Sequence, residues 1–295
     1  MVSRLAVVCV LSCLAIAGCA SKPPSNLDAA KTAYAPMADK QSLLGRNRGE
    51  EPGKSPFSGF EKAPGGRSFG PLAGRSLRVS SVSEIRLREK EVILTFDDGP
   101  IPGKTDQVLA TLRQFGVKAT FLMVGQMAAN YPAIARRVVG QGHSIGGHTF
   151  NHANLASAGT SRALNDIDNG NAAVGRVTGT EVGFFRFPYL ADTGGLRNAV
   201  ASRGMVILDV DIDSKDYFSS DPATIASRTM AQVRARRKGI ILMHDIHGRT
   251  AAMLPMLLSQ LKAGGYKVVA LQYKRSRRPE ALVTADAGKA GTTQM

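Results

Sequence analysis

Thr95-Phe96-Asp97-Asp98-Gly99-Pro100 ends an apolar run with two adjacent carboxylates and a turn. Two neighbouring anions repel each other, so away from bulk solvent they need a cation. A metal ion bound by one would leave the other able to take a proton. Further along, His148-Thr149-Phe150-Asn151-His152 spaces two imidazoles four residues apart, which brings both to one face if the segment makes a helical turn. Two His and one Asp form a facial set for a divalent ion, with positions left open for water and substrate. Only five His occur in the chain, so the three between His143 and His152 are a concentration rather than a scatter. Leu242-Met243-His244 places another at the end of an apolar run, and Asp213-Ser214-Lys215-Asp216-Tyr217 supplies carboxylates that could orient it as a general acid. Each motif also has a plain structural reading, since Asp-Asp-Gly-Pro is good turn chemistry and a strand-end His often bonds a backbone carbonyl.

The elements that must carry these residues follow from the apolar pattern. Short apolar runs occur at Val92–Phe96, Ala119–Val124, His143–Gly146, Phe184–Arg186, Met205–Asp211, Gly239–Met243 and Lys267–Leu271. Longer amphipathic stretches lie between most of them, including Thr105–Phe115 and Asp221–Arg237, where Asp221 caps the start and Pro222 sits in the first turn. This alternation predicts βα units, and seven of them suggest a barrel, with an open doubly wound sheet as the alternative. In either architecture ligands bind at the carboxyl ends of the strands. The polar clusters fall there: Asp97 and Asp98 after the first run, His148 and His152 after the third, Arg186 and Tyr189 after the fourth, Asp213 and Asp216 after the fifth, His244 after the sixth.

The flanks read differently. Arg4, the apolar run Leu5 to Ala17 and the small residues before Cys19 have the layout of an export signal, too short for a membrane span. Ile16-Ala17-Gly18-Cys19 resembles a bacterial lipobox, so residues 1–18 are expected to be a lipoprotein signal and Cys19 the lipidated first residue of an exported, envelope-located protein. Ala20-Ser21 lacks an aspartate, which in a Gram-negative cell points to the outer membrane. Cys9 and Cys13 would leave with the signal, so no intramolecular disulfide and no cysteine-based zinc site is expected. Residues 19–89 are rich in Pro, Gly, Ser, Lys and Arg and read as a disordered basic tether, residues 90–273 as the catalytic body and residues 274–295 as a loose tail. The net charge of +15 divides as +7 in residues 1–90, +5 in 91–270 and +3 in 271–295, a balance that favours anionic neighbours. Nucleic acid is disfavoured, because no Trp and only six Tyr leave little on which to stack bases.

Taken together, the order and spacing of these motifs resemble the polysaccharide deacetylases of carbohydrate esterase family four, the chitooligosaccharide deacetylase homology domain. The resemblance covers roughly residues 90–273 and rests on five ordered motifs: Thr95–Gly99, His148–His152, Arg186-Phe187-Pro188-Tyr189, Asp213–Tyr217 and Leu242–His244. It implies a distorted (β/α) barrel of about seven parallel strands. It also implies Asp97 as general base, and Asp98, His148 and His152 as ligands of a divalent ion, usually zinc. Arg186 would hold Asp97, the backbone N–H of Tyr189 would help stabilise the oxyanion, and His244 would protonate the leaving amine with Asp216 as its partner. His143 would be structural, and Tyr217 stands where the family commonly has tryptophan. The implied reaction removes N-acetyl groups from N-acetylhexosamine units, which peptidoglycan, chitin-like oligomers and exopolysaccharides all present. Two other readings keep the same residues: an esterase acting on O-acetylated glycans, and a glycan-binding envelope lipoprotein without catalysis.

Overall fold

The computed structural model describes residues 71–275. The expected signal, the Cys19 anchor and the end of the tail lie outside the described residues. All strand pairs are parallel, in a nine-stranded sheet. β2 (Glu91–Asp97) is its hub. On one side run β3 (Thr120–Met123), β4 (Ser144–Gly147), β5 (Phe184–Phe185) and β6 (Val206–Ile207); on the other run β8 (Gly239–His244) and β7 (Ile212–Asp213). β6 and β7 do not pair among the described residues, so the barrel is distorted, with an open seam between them. β9 (Lys267–Tyr273) pairs only with the first two residues of β2 and then carries β1 (Ala73–Val79) along its other edge.

Two corrections to the sequence reading follow. β1 lies inside the stretch 19–89 expected to be a disordered tether, so the folded body starts before residue 90. The strand escaped notice because only Leu77 and Val79 are apolar positions facing the core, and Arg75, Ser76 and Arg78 interrupt any apolar run. The run Met205–Asp211 holds only the two-residue strand β6, and a second short strand that the pattern did not mark, β7, begins just past its end, on the other side of the seam.

Alternation along the strands decides which side chains face the barrel interior. In β2, Val92, Leu94 and Phe96 face outward and pack under the helices, whereas Ile93 joins the inner cluster with Leu122, Phe184, Val206 and Ile240. Val79, Val269 and Leu271 fill the same inner cluster from below, so β1 and β9 act as a floor. The outer layer is α1 (Lys104–Gln114), α2 (Gly125–Asn130), α3 (Pro132–Gly140), α4 (Thr160–Thr178), α5 (Gly194–Ser202), α6 (Pro222–Arg236) and α7 (Gly248–Ala263). Asp221 caps α6 by accepting from Thr224 N–H at 2.9 Å. With the interior plugged by aliphatic side chains, Asp97 and His244 emerge at the opposite, carboxyl end of their strands.

Candidate active site

Register brings the first two groups together. β2 and β8 pair with Asp97 opposite His244, so these residues end adjacent parallel strands. Alternation puts Thr95 and Asp97 on the inward side with Ile93. There Arg186, buried after β5, donates from Nη1 to Asp97 Oδ1 at 2.7 Å and to Thr95 Oγ1 at 2.8 Å. Its Nε donates to the carbonyl of Leu208 at 2.9 Å. A buried carboxylate needs such a partner, and this one leaves Asp97 Oδ2 facing His148 Nε2 at 3.8 Å.

Asp98 turns the other way. Its backbone is left-handed (φ 77°), and its Oδ1 lies 3.1 Å from His152 Nε2 and 3.4 Å from His148 Nε2. Burial favours the neutral acid, but the charge of His152 and the bonds from both rings outweigh it and hold Asp98 well below the usual carboxylate range. The His pair is not on a helical turn, as the spacing allowed. A bend with Thr149 (φ 65°) and His152 (φ 60°) both left-handed brings the rings to 5.0 Å between centroids. α4 approaches this bend so closely that a Cβ on Gly170 would sit 2.3 Å from the Thr149 carbonyl carbon. Six of the eight left-handed non-glycine residues among those described lie in the site loops: Asp98, Thr149, His152, Tyr189, Leu190 and Lys215. Such backbone is tolerated where the surroundings over-determine it, which fits a pre-set site.

Do these residues suit a metal ion? One donor atom from each of Asp98, His148 and His152 falls within 4.8 Å of the others. Asp98 Oδ1 is shielded from solvent and is faced by the Nε2 atoms of both rings. His148 Nδ1 is 2.8 Å from the carbonyl of Arg186, which can only accept; Nδ1 therefore carries the proton and Nε2 presents its lone pair to the cluster. Carboxylate plus two imidazole nitrogens, one with its tautomer fixed from behind, is a donor set that fits a divalent ion with open positions.

Across from this cluster stands His244. Its Nδ1 is 2.7 Å from Asp216 Oδ1, and its backbone N–H donates to Asp216 Oδ2 at 2.8 Å. Burial would lower the ring's pKa, but the charge and hydrogen bond of Asp216 prevail and raise it to about 10. Asp216 is in turn held by Thr250 Oγ1 at 2.6 Å. Tyr189 closes the near side, its hydroxyl 3.2 Å from His152 Nδ1. Tyr189, Leu190, Tyr217 and Phe218 are exposed apolar side chains around the mouth. His143 is away from the cluster: Ala119 N–H donates to its Nδ1 at 3.1 Å, and burial pushes its pKa down to about 4.

The eight residues given roles by the resemblance thus meet at one end of the barrel, whereas Asp213, the other carboxylate considered for His244, instead accepts from the Tyr217 hydroxyl at 2.8 Å. Sequence reasoning missed Asp245 and Thr250. Asp245 accepts from Gly99 N–H at 3.1 Å and from Thr105 Oγ1 at 2.6 Å, so it ties the Asp97–Asp98 turn to the end of β8. Burial, opposed by the Thr105 bond, pushes it up to about 7. Its only sequence signal was an acid directly after a strand-end His, because its partners lie 146 and 140 residues earlier in the chain. A Cβ on Gly99 would meet Asp245 at 2.2 Å, which accounts for the glycine.

The family profile described as polysaccharide deacetylase matches residues 84–208. The chain is 34% identical over 197 residues to the peptidoglycan-N-acetylglucosamine deacetylase PgdA of Listeria monocytogenes, covering 66% of this chain but only 41% of that protein. It is 31% identical over 218 residues to the chitin deacetylase of Colletotrichum lindemuthianum, covering 70% of this chain and 87% of that one. Among solved structures, peptidoglycan deacetylase PdaC from Bacillus subtilis superposes with a TM-score of 0.56 at 28% identity, over 62% of this chain and 88% of that chain. With this barrel, this register and these relatives, the chain belongs to the polysaccharide deacetylase family.

Proposed function

We propose that the protein is a metal-dependent hydrolase that removes N-acetyl groups from N-acetylhexosamine units of a polysaccharide, releasing acetate. The observation that supports it most is the pairing of an Arg-held carboxylate, Asp97, with an Asp-held imidazole, His244, on adjacent strand ends beside a three-ligand cluster. An acetamide is a poor electrophile whose amine departs only when protonated, so acid and base are both required. A divalent ion held by Asp98, His148 and His152, zinc by its nitrogen and oxygen donors, would supply Lewis acidity to the acetyl carbonyl and the attacking water.

The chain's own groups do the rest. Arg186 holds and aims Asp97 through the Nη1–Oδ1 contact, and Asp97 accepts the proton of the attacking water as the new C–O bond forms. The backbone N–H of Tyr189 donates to the developing oxyanion. His244, kept protonated by Asp216, gives its proton to the amine nitrogen as the C–N bond breaks. The products are acetate and a free amino sugar. Its relatives' names point to peptidoglycan or a chitin-like glycan as substrate. The retained acid favours an amide over an O-acetyl ester, because an ester oxygen leaves with less help.

Within the same reading, Cys19 bears the lipid of an envelope-anchored protein. The deciding measurement for activity is acetate release from a panel of N- and O-acetylated glycans, with zinc-loaded and chelator-treated protein. Release from N-acetylated glycans that is lost on chelation supports the proposal, and release from O-acetylated glycans alone would replace it with the esterase. Mass spectrometry of membrane-extracted protein tests Cys19; an unmodified, soluble chain starting elsewhere would remove the anchor.

A further inference from the structure

Five large apolar side chains are strongly exposed among the described residues. Four of them, Tyr189, Leu190, Tyr217 and Phe218, ring the candidate site, and the fifth, Val82 at 51% exposure, is at the other end of the barrel. It sits on a turn between β1 and β2, at the lip of a groove of about 820 Å³. Val82, Ile85 and Leu87 supply the apolar side of the groove, and Arg86, Arg236 and Lys238 the cationic side. The two walls are joined, Lys238 Nζ donating to the Leu87 carbonyl at 3.1 Å and Lys90 N–H to the Arg237 carbonyl at 2.9 Å.

The charge here is not neutralised from within. Asp209 is engaged by Arg197 at 2.7 Å, and Asp211, whose Oδ2 accepts from Ile240 N–H at 2.8 Å, keeps its charge but is outnumbered by Arg86, Arg236 and Lys238. Glu84 pairs with Lys274, Glu89 with Arg237, and Glu91 with Arg75. Arg86, Arg236 and Lys238 have no carboxylate at ion-pair distance among the described residues, and exposed Arg78, Arg88 and Lys90 add to the excess. The described chain also starts at this end: the Leu72 carbonyl accepts from Val268 N–H, next to the start of β9. The groove meets β8 at Gly239, five residues before His244, so about 16 Å of strand separates it from the site.

We propose that this end of the barrel docks on an anionic bilayer surface. Arg86, Arg236 and Lys238 take phosphate head groups, Val82 enters the head-group layer, and the site faces away from the membrane. Cations beside short apolar side chains suit the boundary between head group and acyl chain, whereas a soluble polyanion has no use for the apolar wall. A glycan substrate must instead reach the strand carboxyl ends, at the opposite pole. Nearness to a bilayer comes from the Cys19 anchor proposed above, but the docking is testable on a chain without the covalent anchor and without catalysis.

The experiment uses the chain from residue 19 carrying Cys19→Ser, and measures partitioning onto vesicles of phosphatidylglycerol with phosphatidylcholine. At about 1 kcal/mol per surface cation, Arg86→Glu with Arg236→Glu should lower the partition coefficient about 30-fold or more. A matched double reversal of Arg136 and Arg162, exposed on α3 and α4, should change it only several-fold. Val82→Asp should also weaken binding, and thermal melting shows whether each variant is folded. Equal loss in the two double variants would reduce the effect to net charge and overturn the proposal, as would equal binding to pure phosphatidylcholine. Groove-dependent binding to soluble polyphosphate without vesicle binding would assign the site to a polyanion and overturn it too.

Discussion

His244 is bound to Asp216 twice, through its ring Nδ1 at 2.7 Å and through its own backbone N–H at 2.8 Å, so both carboxylate oxygens serve one residue. Position and charge state of the ring are therefore set by the same group. With a pKa raised to about 10, His244 stays protonated through neutral pH and gives up its proton only on the alkaline side.

Asp216→Asn should move that alkaline limb of kcat/KM to lower pH, because burial then lowers the ring's pKa with only the more distant charges of Asp98 and Asp97 left to oppose it. The stability linkage has the same sign. A raised folded-state pKa stabilises fully below the ordinary value of 6.5 and loses that contribution as pH climbs towards about 10. Urea unfolding at several pH values should show the gap between wild type and variant narrowing over that window. A pH–rate profile unchanged in Asp216→Asn would remove Asp216 from the acid's control.

Asp97→Asn should retain metal and lower turnover by two to four orders of magnitude, as removal of a general base does. Asn can still accept from Arg186, so the barrel should melt near the wild-type temperature. Asp98→Asn should weaken metal affinity instead, with added zinc restoring part of the activity. If elemental analysis shows the opposite pattern, the two roles are exchanged.

His148→Ala should lose both metal and turnover, since the cluster keeps only two donors. Full metal content in the purified variant would exclude His148 as a ligand.

Asp245→Ala leaves the Gly99 N–H and the Thr105 hydroxyl buried without an acceptor. A cost of about 2–6 kcal/mol in chemical denaturation follows from about 1–3 kcal/mol for each of the two stranded groups. Metal affinity should fall as well, because the turn bearing Asp98 is no longer tied to β8. A variant as stable as wild type would show that solvent reaches both groups.

Removing β1 should destabilise the body, because Val79 fills the inner cluster against Val269 and Leu271. A chain starting at Ser81 should therefore melt well below one starting at Leu72. Equal melting temperatures would return residues 72–80 to the role of a tether.

Much of the site was legible because strand ends announce themselves: an apolar run followed abruptly by Asp97-Asp98 or by His244 is a strand delivering a polar group to a barrel mouth. What could not be read was what depends on partners distant in sequence. The His148–His152 spacing suggested a helical turn, but whether rings converge by helix or by bend depends on backbone held left-handed by α4 packing at Gly170. Asp245 looked like an ordinary turn acid until Gly99 was placed beside it. β1 lacked a readable pattern since one of its faces stays exposed, and β5, β6 and β7 at two residues each are too short for periodicity to divide.

Arg186 holds Asp97 with one nitrogen and the carbonyl of Leu208, just past β6, with another, thereby tying the end of β6 across the lumen to β2. At that position durability and turnover share a side chain, so they cannot be tuned independently. Lysine, with a single nitrogen, could not serve both ends at once. Tyr189, Leu190, Tyr217 and Phe218 stand on loops above the strand ends and close none of the barrel wall. Substrate preference can thus be redesigned at the rim without touching the arginine strut beneath, which the fold itself requires.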